Sequence, residues 1–344
     1  MHRKSLFILT ISILFVSSVY SQGRTNQSVR IAFYNVENFF DTNPDTLLHM
    51  DDFTPGGNHH WTSERYKTKL NRIYKVITAL GGWQSTGIMG FAEIENRKVL
   101  TDIIEKTPLK KQGYRLVHYE SHDHRGIDAG LIYLPEVFTV LYSKAVPLVD
   151  STDPGFHTRD ILYVKGLLMG DTLHLFVNHW PSRYGGMMQT ISKRKLAAAL
   201  LRGLTDSICN YDSHANILVM GDFNDNPDDE SIKILTSGGS NCFLKSLPWE
   251  TTRHLAAGSL KHASEWAVFD QILVTEPLAA GKAGLRIATG NYFIYDAPFL
   301  LEKDKKYPGY TTNRTWRGFS YNGGFSDHLP VFIDIVKSSI AHEK

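Results

Sequence analysis

Ile217-Leu218-Val219-Met220-Gly221-Asp222-Phe223-Asn224-Asp225-Asn226-Pro227 is the stretch from which the fold is read. Its first four residues are apolar, without helical punctuation, and read as a buried strand covered on both faces. The run stops abruptly in polar residues. Gly221 lets another backbone approach closely, and Asp222 and Asn224, two apart on an extended chain, point to one side. A carboxylate and an amide thus leave the end of a buried strand together, the place where open α/β sheets bind ligands. Asp225-Asn226-Pro227 is a turn, and Asp228 is placed to cap the helix that Ser231, Ile232, Ile234 and Leu235 suggest.

The same pattern recurs along the chain. Arg30–Tyr34 reads as a strand delivering Asn35 and Glu37 to one side, and Gly87–Ala92 as a strand delivering Glu93 and Glu95. Leu173–Val177 delivers Asn178, His179 and, past Pro181, Arg183. Trp266–Val274 holds Asp270 between apolar neighbours, a burial that requires a partner. Ser326-Asp327-His328 opens the last strand. Tyr114–Tyr119, Ala129–Leu134, Val137–Tyr142 and Ile161–Met169 are further strands. A contact of His179 with Asp128 is expected across two of the strand ends.

Tyr66, Leu70, Ile73, Ile77 and Leu80 follow helical spacing, giving a helix from Thr62 to Leu80 that Gly81-Gly82 stops. Leu196, Leu200, Leu204 and Ile208 recur every four residues and place a second helix over a sheet, with Lys193, Arg194 and Lys195 as a solvated face. Residues 43–61 form a surface loop whose Asp51, Asp52, His59 and His60 repeat no ligand spacing. Residues 237–263 and 296–325 are long loops, and Arg314, Trp316, Arg317 and Tyr321 suit a rim for an anionic substrate. Many strands with few helices favour two packed sheets flanked by helices over a dinucleotide-binding fold. P-loop, GxSxG and HExxH signatures do not occur.

With 344 residues, 42% of them hydrophobic, the chain can bury a large core, and no repeat or linker interrupts 28–337, read as one catalytic domain. Residues 1–21 read differently. His2-Arg3-Lys4, an apolar Leu6–Val19 and a small-residue site at Val19-Tyr20-Ser21 describe a cleavable signal peptide, too short for a membrane span and followed by no lipid-anchor cysteine. The expectation is a secreted or periplasmic protein without stable membrane insertion after cleavage. Removing that leader takes Arg3 and Lys4 and no acid, which leaves basic and acidic residues in balance. Without a global basic field, binding to nucleic acid needs a local patch, for which Arg183, Arg194, Arg314 and Arg317 are candidates. Cys209 and Cys242 could pair or stay as two buried thiols, and the sequence leaves both open.

Together YNVEN, FAEIEN, NHWPSR, GDFND, FDQI and SDHLPV, in that order between Arg30 and Ile335, resemble the endonuclease/exonuclease/phosphatase superfamily, which includes DNase I, and within it secreted bacterial nuclease-like members. The resemblance implies a four-layer α/β sandwich of two mixed sheets with helices outside and the site at one end. It implies Glu93 as principal ligand of Mg²⁺ or Mn²⁺, with Glu37 and Asp327 as further ligands. Asp222 would orient or deprotonate the attacking water, Asn224 would position it, and Asn35 and Arg183 would hold the phosphate. His328, fixed by Asp270, and His179 would contact that phosphate from two sides. The implied activity is phosphodiester hydrolysis with nucleic acid, DNA or RNA, as substrate. Phospholipid head groups or phosphomonoesters are the alternatives on the same scaffold. Such chemistry needs fixed positive charge where the equatorial oxygens become more negative. Gln271 stands where many members carry a histidine.

Overall fold

The computed structural model describes residues 28–44, 52–237 and 242–338. The expected signal peptide and Asp51 lie outside them. Eight strands carry the early part of the fold: β1 (Ser28–Phe39), β2 (Ile88–Ile94), β3 (Arg115–His118), β4 (Asp128–Tyr133), β5 (Phe138–Val146), β6 (Ile161–Leu168), β7 (Asp171–His179) and β8 (Asn216–Asp222). One sheet has the order β5-β6-β7-β8, then Asp270–Thr275, then Leu244–Ser246. The other runs Trp249–Thr251, Tyr292–Ile294, Val331–Lys337, β1, β2, β4, β3, with Leu285–Ile287 also on Val331–Lys337. Both are mixed: β1 lies parallel to β2 and β7 parallel to β8, while β8 is antiparallel to Asp270–Thr275.

The apolar run at β8 shows why the sheets stack. Every residue of this strand is buried, and its alternation feeds two cores. Leu218 and Met220 join Val177, Ile272 and Phe33 between the sheets. Ile217 and Val219 join Phe176, Leu273, Ala197 and Leu201 beneath α3 (Met187–Tyr211). At about 25 cal/mol per Å² of apolar surface, such two-sided burial dominates the stability of a strand. The sheets approach closely at Gly90, where an added Cβ would meet the Met220 methyl at 2.9 Å. At Gly221 a Cβ would run into the backbone oxygen of Asn178, so only glycine lets β7 and β8 lie side by side at the site end.

Helices α1 (Ser63–Gly81) and α2 (Arg97–Glu105) cover the other sheet. Thr62 caps α1 by accepting from Arg65 N, and Gly82 at φ 59° ends it. On α3 the leucine row does not lie deepest. Leu196, Leu200, Leu204 and Ile208 are half-buried flanks, and Ala197, Leu201, Thr205 and Cys209 face the sheet, because the small Ala197 and Ala198 let the helix settle closer along that line. Arg194 is not a solvated cation either. It is fully buried, its Nε 2.8 Å from Asp225 Oδ2. The short helix α4 (Glu230–Thr236) has Asp229, not Asp228, at its N-cap, and the Asp229 carboxylate accepts from Asn226 N at 2.7 Å.

The two long loops contain hairpins of two- and three-residue strands, too short to leave a periodic signal. Leu260–His262 pairs Glu265–Ala267, Leu301–Lys303 pairs Tyr310–Thr312, and Trp316–Arg317 pairs Ser320–Tyr321. No described helix is long and apolar enough to cross a membrane.

Cys209 and Cys242 form a disulfide that ties the end of α3 to the edge of the six-stranded sheet. Its sequence separation of 33 residues corresponds to roughly 3–4 kcal/mol of lost unfolded-state entropy. Cys209→Ser with Cys242→Ser should lower unfolding free energy by about that amount in urea titrations. A loss under about 1 kcal/mol would show that the bond constrains little.

Candidate active site

The register lines up the chemistry. Across three adjacent strands of one sheet, His179 pairs Asp222 and Asp222 pairs Asp270, so the three side by side form one row. In the other sheet Asn35 pairs Ala92, the neighbour of Glu93. Asn35 joins the rows: its amide nitrogen donates to Asp222 Oδ2 at 3.0 Å and to Glu93 Oε1 at 3.3 Å. His179 Nε2 lies 3.8 Å from Glu93 Oε1 and 3.7 Å from Asp222 Oδ2. His328 Nδ1 is 2.7 Å from Asp270 Oδ2, and its Nε2 faces Asp222 Oδ2 at 3.7 Å. Glu93, His179, Asp222, Asn224, Asp327 and His328 line a cavity of about 620 Å³.

Backbone geometry at the strand ends departs from the extended chain. Glu37, Asn38, Glu93 and Asn224 take φ values of 55°, 49°, 63° and 52°. Left-handed non-glycine residues cost about 1–2 kcal/mol each and gather where a site over-determines them. The pleat therefore breaks, with a register shift between Asn35 and Phe39, and Asn35 and Glu37 do not share a side. Asn35 faces Asp222. Both oxygens of Glu37 accept from Thr315 N, Trp316 N and Arg314 Nε, so the expected ligand backs the site instead of opening on the cavity. Glu93 Oε2 accepts from Asn38 N at 2.7 Å. Asn224 N donates to Asp222 Oδ1, and the Asn224 amide nitrogen is held by Trp180 O at 3.0 Å.

Burial sets the charge states. It pushes the Glu37 carboxyl up to about 7, helped by Asp327 and opposed by Lys69 and Arg314. It pushes Asp222 up to about 6 against the pull of His328. Burial and the nearby Arg159 and Arg125 guanidinium groups hold His179 well below the ordinary imidazole range. For His328 burial opposes the charge, but the Asp270 and Asp222 carboxylates outweigh it and raise this imidazole well above that range. One histidine is thus neutral and the other cationic.

Several expected positions fall elsewhere. Arg183 lines the cavity, yet its Nε donates to Asn224 O and its Nη2 to Asp225 and Asp229, so it holds the loop under Asn224 rather than a free phosphate site. Arg317 pairs Glu302, and Arg314 bridges Glu37 and Asp327 at 3.2 and 3.0 Å, so the four arginines share no open basic face. Asp128 does not meet His179. Its Oδ1 accepts from Ser121 N and its Oδ2 faces His118, while His179 Nδ1 is buried without a hydrogen-bond partner among the described residues. Gln271 donates to Asp225 O and Val268 O, a structural role.

The sequence reading missed Arg125, Tyr184, Trp266 and Phe269, which line the cavity. It also missed Arg159, which reaches Asp123 and Trp180 O behind His179. A second pocket of about 340 Å³ adjoins the first through Arg125, Ser182 and Tyr184, and is lined by His124, His157, Arg159 and Lys193.

The donor set suits a hard divalent cation. Glu93 and Asp327, both lining the cavity, offer carboxylate oxygens of the kind a hard cation such as Mg²⁺ takes while keeping several waters, and among the described residues no three of the expected ligands come within 4.8 Å of one another. The raised carboxyls report the cost of burying their charged forms. Because folded Glu37 and Asp222 bind protons more tightly than in the unfolded chain, stability falls as pH rises from the ordinary carboxylate range through about 6 to 7, and the full penalty stands above that. A cation offsets that penalty. Adding Mg²⁺ or Mn²⁺ to the metal-free protein should raise its melting temperature by a few degrees more at about pH 8 than at about pH 5. Equal shifts at the two pH values would detach the cation from these groups.

Residues 30–337 match the model of a family described as endonuclease/exonuclease/phosphatase. No curated protein matches the chain. Among solved structures, a mannosyl-6-phosphatase of Bacteroides thetaiotaomicron is 15% identical, with 90% of this chain and 99% of that one covered at a TM-score of 0.58. The human Nocturnin catalytic domain with bound sulfate anion is 16% identical over 90% of this chain and 94% of that one, TM-score 0.54. Truncated Caenorhabditis elegans TDP2 is 14% identical over 90% and 97%, TM-score 0.52. At these identities the likeness is one of fold, two mixed β-sheets flanked by helices.

Proposed function

The chain belongs to the endonuclease/exonuclease/phosphatase family, and from that premise we propose that it is a secreted, Mg²⁺- or Mn²⁺-dependent phosphodiesterase acting on nucleic acid. The observation that carries the reading is the meeting of Asn35, Glu93, His179, Asp222 and the His328–Asp270 pair at one cavity. When bound, the cation supplies positive charge to the phosphate oxygens, held by Glu93 and Asp327.

The chain's own groups do the rest. Asp222, pushed up to about 6, accepts the proton of the attacking water better than an ordinary carboxylate would. Asn224 N and Asn35 hold its two oxygens in place. Charged His328 directs its Nε2 proton toward the phosphate oxygens while Asp270 fixes Nδ1, and neutral His179 offers a donor from the other side. The adjoining pocket with Arg125, His124, His157 and Lys193 supports a substrate with further phosphates beside the scissile one. The Cys209–Cys242 bond supports an exported protein.

A second reading, a phosphomonoester of a ring-bearing alcohol, is favoured by the aromatic Tyr184, Trp266 and Phe269 in the lining of the cavity. Cleavage of single-stranded oligonucleotide, plasmid and p-nitrophenyl phosphate with Mg²⁺ or Mn²⁺ separates them. Diesters should be cleaved at least about tenfold more efficiently, and a chelator should stop the reaction. The opposite ranking would replace the diester by the monoester.

A further inference from the structure

Away from the catalytic cavity, His118, Glu120 and Asp128 each offer one ligand atom, and these atoms all lie within 4.8 Å of one another. Topology brings them together. His118 closes the edge strand β3 opposite Gly130 of β4, and Asp128 opens β4. His118 Nε2 is 3.2 Å from Asp128 Oδ2, and His118 Nδ1 is 3.7 Å from Glu120 Oε1. The imidazole is 1% exposed, yet among the described residues its Nε2 has no hydrogen-bond partner, because the nitrogen is close to Asp128 without directing a proton at it.

That combination suits two corners of a coordination shell. Ligands about 2.0–2.2 Å from an ion stand roughly 3–3.5 Å apart, with lone pairs converging. Asp128 Oδ1 accepts from Ser121 N at 2.9 Å, the outer hydrogen bond that fixes a ligating carboxylate.

We propose that His118, Glu120 and Asp128 bind a transition-metal ion, zinc in the first place, at a site separate from the catalytic cavity. One imidazole with two carboxylates favours zinc over magnesium or calcium. The ion would join the two ends of the loop 119–127, which presents Arg125 to both pockets and holds Arg159 through Asp123. It acts as a clamp on the wall of the substrate site.

The test uses the full chain, stripped of metal, equilibrated with Zn²⁺ and assayed for bound metal by plasma mass spectrometry. Glu93→Ala, which lacks the principal catalytic ligand, should retain one zinc equivalent. Adding Glu120→Gln, at a side chain 67% exposed and hence safe for folding, or His118→Asn, should weaken that binding at least about tenfold. X-ray absorption of zinc-loaded Glu93→Ala should show a single imidazole among oxygen ligands. Zinc binding that is absent in Glu93→Ala, or unchanged in both folded double variants, overturns the site. Phosphoesterase activity with Mg²⁺ is a separate readout, so the catalytic reading fails or stands independently.

Discussion

Glu93→Ala should lower kcat/KM with Mg²⁺ by at least about a thousandfold, roughly 4 kcal/mol of transition-state stabilisation, in a protein that remains folded. Glu93 is the carboxylate that the structure turns onto the cavity while Asn38 N and Asn35 hold its two oxygens. Its φ of 63° puts the side chain at the point where β2 leaves the extended pleat. Alanine keeps that strained backbone and removes the anion, so circular dichroism and melting temperature should change little beside the loss of rate. Activity within about tenfold of the parent would remove Glu93 from its assigned place.

The second large effect is expected at Asp270, fully buried against His328. Asp270→Asn preserves shape and withdraws the charge that sustains the imidazolium. Turnover should drop about 10²–10⁴-fold, as when the orienting carboxylate of a histidine pair is neutralised. The pH profile carries the sign. The working form of His328 is protonated, so activity fades as pH climbs through its raised value, and lowering that value shifts the alkaline limb toward lower pH by at least about one unit. A variant with depressed turnover but an unmoved alkaline limb would make Asp270 a packing residue.

Much of this architecture is legible in the sequence because one rule repeats: an apolar run ends in a polar word. That rule locates β1, β2, β7 and β8, and with them Asn35, Glu93, His179 and Asp222; Asp270 stands out instead as an acid among apolar residues, and it opens the strand Asp270–Thr275 while Trp266 belongs to the hairpin before it. The rule fails where its assumption of a regular pleat fails, at Glu37, whose left-handed backbone turns the carboxylate onto Arg314 and Thr315. Nor can it tell a guanidinium awaiting phosphate from one already paired. Arg183 and Arg194 both hold Asp225, a residue within the opening stretch whose partners lie 31 and 42 positions away. The leucine row of α3 misleads for a related reason, since contact depth depends on how small the neighbouring alanines are.

The strand Val331–Lys337 pairs with β1 from Ser28↔Val336 to Phe33↔Val331, so the first and last strands are neighbours inside one sheet. During synthesis, β1 therefore leaves the ribosome with one edge unanswered until Val331–Lys337 has followed. An unpaired edge invites foreign strands, and contacts of such sequence separation form slowly. A product clipped just before Val331 would retain every side chain assigned to catalysis and lack the strand that closes the sheet holding Asn35 and Glu93. Such a fragment should aggregate rather than turn over substrate.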